Sequence, residues 1–213
     1  MHRHSEAFGR LRRQVARRRR EFLRNQQGRT FTYPSAGTVW FPSHREQAHC
    51  EAFIVLFVAE LETYWEAVVN AALDSFNKRF LASGLHDCGA AEAYVSKITQ
   101  QRQQWQKNNN ANWSRIESYF NFVGLNKSKF PDGLWDNVEA VVVQRGDIVH
   151  NSLGIRSTSD PRITLNHIEN ILLRLTIFDR DFVDWLRRAD AELTRLQSVQ
   201  SGFVAGMGTL SVG

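Results

Sequence analysis

The placement of its prolines constrains this chain most. Only four occur in 213 residues, at 34, 42, 131 and 161. Proline lacks a backbone donor and clashes with the preceding helical turn, so it breaks a helix interior. The stretches 43–130 and 162–213 are therefore free to run as long helices. Phe53, Leu56, Phe57, Leu61, Tyr64, Trp65, Val68, Ala71, Ala72 and Phe76 recur at three- and four-residue steps. That period predicts a helix over 44–81. Ser43-His44-Arg45-Glu46, directly after Pro42, forms the capping box that starts it. Tyr94, Val95, Ile98 and Trp105 predict a helix over 90–108, closed by three asparagines. Trp113, Ile116, Tyr119, Phe120 and Phe122 predict a short one over 112–123. Pro131-Asp132-Gly133 is a turn before a helix over 133–152. After a second turn at Asp160-Pro161, Thr164 is read as the cap of a last helix to 198.

The first 42 residues have a different character. Ser5 can cap a helix to 25 with Phe8, Leu11, Val15 and Phe22 on one stripe among arginines. Two strand-like segments, 30–33 and 38–41, flank Pro34 and Gly37 and suit a hairpin or an extended strap. The expected fold is all-α: an antiparallel four- or five-helix bundle with an extra arginine-rich N-terminal helix. Its segments are a basic helix and strap over 1–42, a bundle over 43–198 and a loose tail over 199–213.

Charge sharpens the division. Residues 1–30 hold ten arginines against Glu6 and Glu21, while the remainder holds 17 basic and 20 acidic side chains. A basic arm thus precedes a mildly acidic body. The arginine fork suits bidentate contact with phosphate, so Arg12, Arg13, Arg17, Arg18, Arg19 and Arg20 are candidate RNA-binding residues. The same arm could instead dock on its own acidic body or on an acidic partner. The apolar stripe is too thin to expect a membrane role, and no run of 18 apolar residues suggests a spanning helix. Met1–Thr30 has no apolar core of the secretory kind, and two cysteines, Cys50 and Cys88, cannot build a disulfide scaffold. A cytoplasmic protein is expected.

The segment that carries chemistry lies in the 133–152 helix. On a helical wheel Val138, Val142, Arg145 and Val149 share one stripe, so an arginine stands where packing asks for an apolar residue. Glu139, Val143, Gly146 and His150 share the next. Gly146, one turn before His150, leaves space beside the imidazole at a cost of about 1 kcal/mol of helix stability relative to alanine. Asp147, three residues before His150, is placed to reach its ring. His44, His49, Cys50, His86 and Cys88 have no usual zinc spacing, and no cofactor is expected. Arg162-Ile-Thr-Leu-Asn-His167 repeats the arginine–histidine spacing but is read as straddling a turn and a helix start.

Arg145-Gly-Asp-Ile-Val-His150, within a hydrophobic helix and followed by a long last helix, resembles the HEPN superfamily. Its ribonuclease members carry an Arg-x4–6-His motif in a helical bundle. The resemblance covers 43–198 and is nearest to the RiboL-PSP-like branch. It departs from the family in having Gly146, where a polar residue often follows the arginine. It also lacks a tyrosine two residues beyond the histidine. The resemblance implies a metal-independent endoribonuclease that cleaves RNA by attack of the 2′-hydroxyl. It further implies a homodimer with one composite cleft, and a toxin or antiphage, abortive-infection effector restrained by an antitoxin or a larger defence complex. The roles carried over are catalysis by Arg145 and His150, with Asp147 orienting the imidazole and Asn151 contacting phosphate. The alternative is a catalytically inactive HEPN-like module that binds RNA or assembles with another protein, in which Arg145 forms a structural ion pair.

Overall fold

The computed structural model describes residues 4–23, 29–33, 37–41, 43–82, 89–107, 111, 113–122, 124–150 and 161–208, some helix and hairpin residues by backbone alone. The element order is α1 (Glu6–Leu23), β1 (Arg29–Tyr33), β2 (Gly37–Phe41), α2 (His44–Ala82), α3 (Gly89–Lys107), α4 (Trp113–Phe122), a 3₁₀ turn (Lys127–Lys129), α5 (Leu134–His150) and α6 (Pro161–Gly208). The fold is an all-α helical bundle; β1 and β2 form one antiparallel hairpin in which Thr30 faces Trp40 and Tyr33 faces Gly37. No helix among the described residues is long and apolar enough to cross a membrane.

Most boundaries fall where capping and proline chemistry put them. At the start of α2 the Ser43 amide donates to Glu46 Oε2 at 2.7 Å, and the Glu46 amide donates to Ser43 Oγ at 3.3 Å. Both orphan amides of the first turn are satisfied reciprocally. Two differences from expectation concern α6. It starts at Pro161 rather than Thr164, because a helix tolerates proline at its first position, where the missing N–H has no partner anyway. It also runs to Gly208 instead of ending at 198, since no proline interrupts that stretch. In α3, Val95 is exposed where burial was expected, while Ile98 is buried.

α2 is the central rod. Phe53, Phe57, Leu61, Tyr64, Trp65, Val68, Ala72 and Leu73 are all buried, and α1, α3, α5 and α6 pack on it. Trp65 is the aromatic hub. Its ring stacks on Trp135 of α5 at 5.1 Å and meets Phe120 of α4, Phe130 and Phe178 of α6 edge-on at 5.6, 6.0 and 5.7 Å. Among the described residues the buried indole nitrogens of Trp65 and Trp135 have no partners. Each such donor costs about 1–3 kcal/mol. Burying one indole removes about 150–250 Å² from water, worth about 4–6 kcal/mol, so packing outweighs the unmet donor.

α1 belongs to the same core. Phe8, Leu11 and Val15 join the hydrophobic cluster of α2, α5 and α6. A buried carboxylate locks this helix in place. Asp179 of α6 accepts the Ser5 amide at 2.7 Å, the Ser5 hydroxyl and the Tyr64 hydroxyl of α2 at 3.2 Å. The Ser5 hydroxyl oxygen also accepts the Phe8 amide at 3.1 Å, so one serine caps α1 and ties it to α6. Burial pushes the Tyr64 hydroxyl well above its ordinary pKa, and Asp179 pushes it further. The phenol therefore remains a donor to the carboxylate.

Tyr64→Phe keeps the ring and removes this donor. Unfolding in urea should show a loss of about 1.5–3 kcal/mol, the range for a hydrogen bond to a charged group. An unchanged midpoint would mean that Ser5, with His4 at 3.5 Å from the carboxylate, satisfies Asp179 without the phenol.

Candidate active site on α5

α5 is held against α6 at three points along its length. At its start, Arg174 Nε donates to the Asp132 carbonyl at 2.6 Å. Gly133 has φ +70°, and a Cβ there would meet the Arg174 guanidinium at 3.3 Å. The positive φ favours glycine, and a Cβ would also press on the end of the Arg174 side chain. One turn on, Asn137 donates to the Gly133 carbonyl and shares a 2.8 Å hydrogen bond between its Oδ1 and His167 Nδ1. Further along, the buried Thr164 hydroxyl donates to Gln144 Oε1. Residues 132, 137 and 144 thus pair with 174, 167 and 164 in antiparallel register. Arg162 and His167 lie on one helix, contrary to the turn-straddling expectation, because α6 begins at Pro161. His167 belongs to the α5–α6 clasp, and the side chain of Arg162 lies outside the described residues.

Beyond the last clasp come the residues that the sequence singles out. Leu134, Trp135, Val138 and Val141 are buried, and Val142 and Ile148 pack partly against the core. Arg145 follows on this side and is half-buried. Among the described residues its Nε is buried with no hydrogen-bond partner. The neighbouring charge is Glu62 of α2. Burial raises the Glu62 pKa above its ordinary 4.5, while Arg145 and a hydrogen bond from the Ala111 amide draw it down. Glu62 was not singled out for this role by the sequence. In sequence it is one of three nearby glutamates, Glu60, Glu62 and Glu66, and nothing there marks it out from the other two.

His150, the last residue of α5, is exposed, and so is Asp147. Among the described residues Asp147 makes no hydrogen bond to His150. α5 is continuous, so Arg145 and His150 stand about 7.5 Å apart along its axis and about 140° around it. One chain therefore points the arginine toward α2 and the imidazole toward solvent. The space beside Gly146 is open, with nothing within 4 Å of where a Cβ would stand. Val149 is 47% exposed and not on the packed stripe; with Val143, 56% exposed, it sets two apolar side chains beside Gly146, alongside the polar Glu139 and His150. Asn151 lies outside the described residues.

The arginines of α1 divide by direction. Arg18 pairs with Glu21 at 3.3 Å and Arg19 with Glu169 of α6 at 2.8 Å. The Arg12 guanidinium stands 6.0 Å from the Phe8 ring centroid. Arg13, Arg17 and Arg20 are exposed. Among the described residues no group of three histidine, cysteine or acidic side chains is placed to hold a metal ion; His86 and Cys88 lie outside them. Compared with protein-family models, curated proteins and solved structures, the chain finds no match.

The Glu62 environment sets a pH dependence. Its raised pKa means that, between pH 4.5 and the folded-state value, the folded chain binds more of this proton than the unfolded chain does. Its contribution to stability is present below pH 4.5 and fades as pH rises through the folded-state value. Glu62→Gln does not titrate, so its stability relative to the parent should increase from pH 4 toward neutrality. Urea midpoints across that range test this. A relative decrease would show that attraction to Arg145 outweighs burial.

Proposed function

We propose that this protein is a metal-independent endoribonuclease of the HEPN type, with Arg145 and His150 as its catalytic pair. The observation that carries the proposal is a half-buried guanidinium, its Nε without a hydrogen-bond partner among the described residues, set five residues before an exposed imidazole on a clamped helix. A core-facing arginine needs a reason. Its charge cannot be lost by deprotonation, and a guanidinium that is only half-buried keeps a face for a substrate phosphate.

The chemistry is transesterification. The ribose 2′-oxygen attacks the adjacent phosphorus and loses its proton, and the bond to the 5′-oxygen breaks as that oxygen gains a proton. Imidazole is suited to either transfer near neutral pH. Arg145 stabilises the charge that builds on the phosphoryl oxygens. A pair of chains meeting at Gly146 answers the divergence of the two groups within one helix. Each chain would then bring one His150, and the two could serve as base and acid. The exposed Val143 and Val149 give such a contact apolar area. In a cell the enzyme would be a toxin or an antiphage, abortive-infection effector, acting in the cytoplasm and restrained by an antitoxin or a larger defence complex.

Purified protein should cut single-stranded RNA to products with 2′,3′-cyclic phosphate and 5′-hydroxyl ends, in the presence of EDTA. Arg145→Ala and His150→Ala should each abolish cutting with the helical circular-dichroism signal intact. Gly146→Ala should stabilise the fold by up to about 1 kcal/mol yet impair cleavage, because it fills space that the substrate or second chain uses. Products with 5′-phosphate ends, or activity that magnesium restores after EDTA, would reject the mechanism. A monomer by light scattering that cleaves at low concentration would reject the pair. Full cutting by both alanine variants would reject the enzyme and leave the inactive module. For that module the specific support is Glu62 beside Arg145.

A further inference from the structure

The run Arg17-Arg18-Arg19-Arg20 reads in sequence as one basic block, but the helix disperses it. Phe8, Leu11 and Val15 fix the buried side of α1. Arg10, Arg13, Arg17 and Arg20 fall within about 80° of arc on the opposite side. All four are exposed, and among the described residues none pairs with a carboxylate. Arg20 Nε turns back to the Ala16 carbonyl at 3.3 Å, which leaves its terminal nitrogens outward. Arg12, Arg18 and Arg19 lie at the edges of the buried side and are engaged by Phe8, Glu21 and Glu169 respectively.

We infer that Arg10, Arg13, Arg17 and Arg20 form a binding ridge for the phosphodiester backbone of RNA, separate from the cleavage motif. The inference rests on RNA being the substrate class and adds a site that tethers it. The ridge is straight because α1 is pinned along its length by core side chains and at its start by Asp179. The arginines follow each other at steps of about 4.5–6 Å and span about 15 Å. An RNA strand lying along a ridge of that length can present a phosphate to each guanidinium in turn. Four unpaired guanidinium groups repel one another. A polyanion relieves that repulsion while using the bidentate fork of each. No acidic residue interrupts the ridge between Arg10 and Arg20. A protein partner would have to present a matching row of carboxylates.

The test is binding of a 20-nucleotide 2′-O-methyl oligouridylate to the full chain across a salt series. This probe has no free 2′-hydroxyl, so binding is read whether or not the protein cleaves RNA. Glutamine at Arg10, Arg13, Arg17 and Arg20 together should flatten the plot of log K against log salt by about three units, at about 0.7 per lost contact. The double variant Arg13→Gln, Arg17→Gln should flatten it by about half as much. Glutamine at Arg12, Arg18 and Arg19 should change it by less than about one unit. An unchanged slope in the quartet variant, or equal flattening by the triple variant, would overturn the ridge. The first outcome would point to an acidic protein as the partner of α1. A parent chain that shows this salt-dependent binding but cuts no RNA would count against the active-site proposal and leave the ridge standing.

Discussion

Everything in this bundle is arranged around the Trp65 ring. It is fully buried on the central helix and touches aromatic rings from α4, α5, α6 and the segment before α5. Tyr64 beside it carries the network on to Phe8 of α1. A flat ring of that size admits few packing solutions, so each helix that meets it loses most of its freedom to slide or rotate. Trp135 stacked on Trp65 fixes the first turn of α5, and the rest of that helix extends from a fixed base.

The α5–α6 clasps then fix its register. Arg174, His167 and Thr164 take hold of Asp132, Asn137 and Gln144 in order. Sliding one helix past the other would break all three. Arg145 comes directly after the last clasp, so its guanidinium is delivered to the half-buried position beside Glu62 by the elements behind it. His150 lies where the clasps no longer act. The fold thus offers a rigidly placed cation and an accessible imidazole on one helix, a combination suited to holding a phosphate in one place and moving protons at its edge.

Much of this was legible in the sequence. Proline placement, the Ser43–Glu46 capping box and the three-to-four spacing located the six α-helices of the described residues, and the Thr30–Tyr33 and Thr38–Phe41 segments pair as a hairpin. What escaped depends on contacts between elements. Asp179 looks like an ordinary surface acid in a polar stretch, yet it is fully buried because Ser5 and Tyr64 arrive from far along the chain. Glu62 is likewise defined by a helix some eighty positions away. Val149 matched the apolar stripe by spacing, but near the end of α5 that stripe has run past its neighbours and the side chain faces solvent. Pro161 marked a boundary from sequence without revealing that it starts the helix rather than precedes it.

The central claim is that His150, on a helix clamped for another group to hold the phosphate, transfers the proton that cuts RNA. The most direct measurement is sequencing of RNA ends from cells expressing the parent chain beside cells expressing His150→Ala at equal protein level. The account predicts new 5′-hydroxyl and 2′,3′-cyclic phosphate ends in the first and none above background in the second. The same ends in both, or in neither, would contradict it.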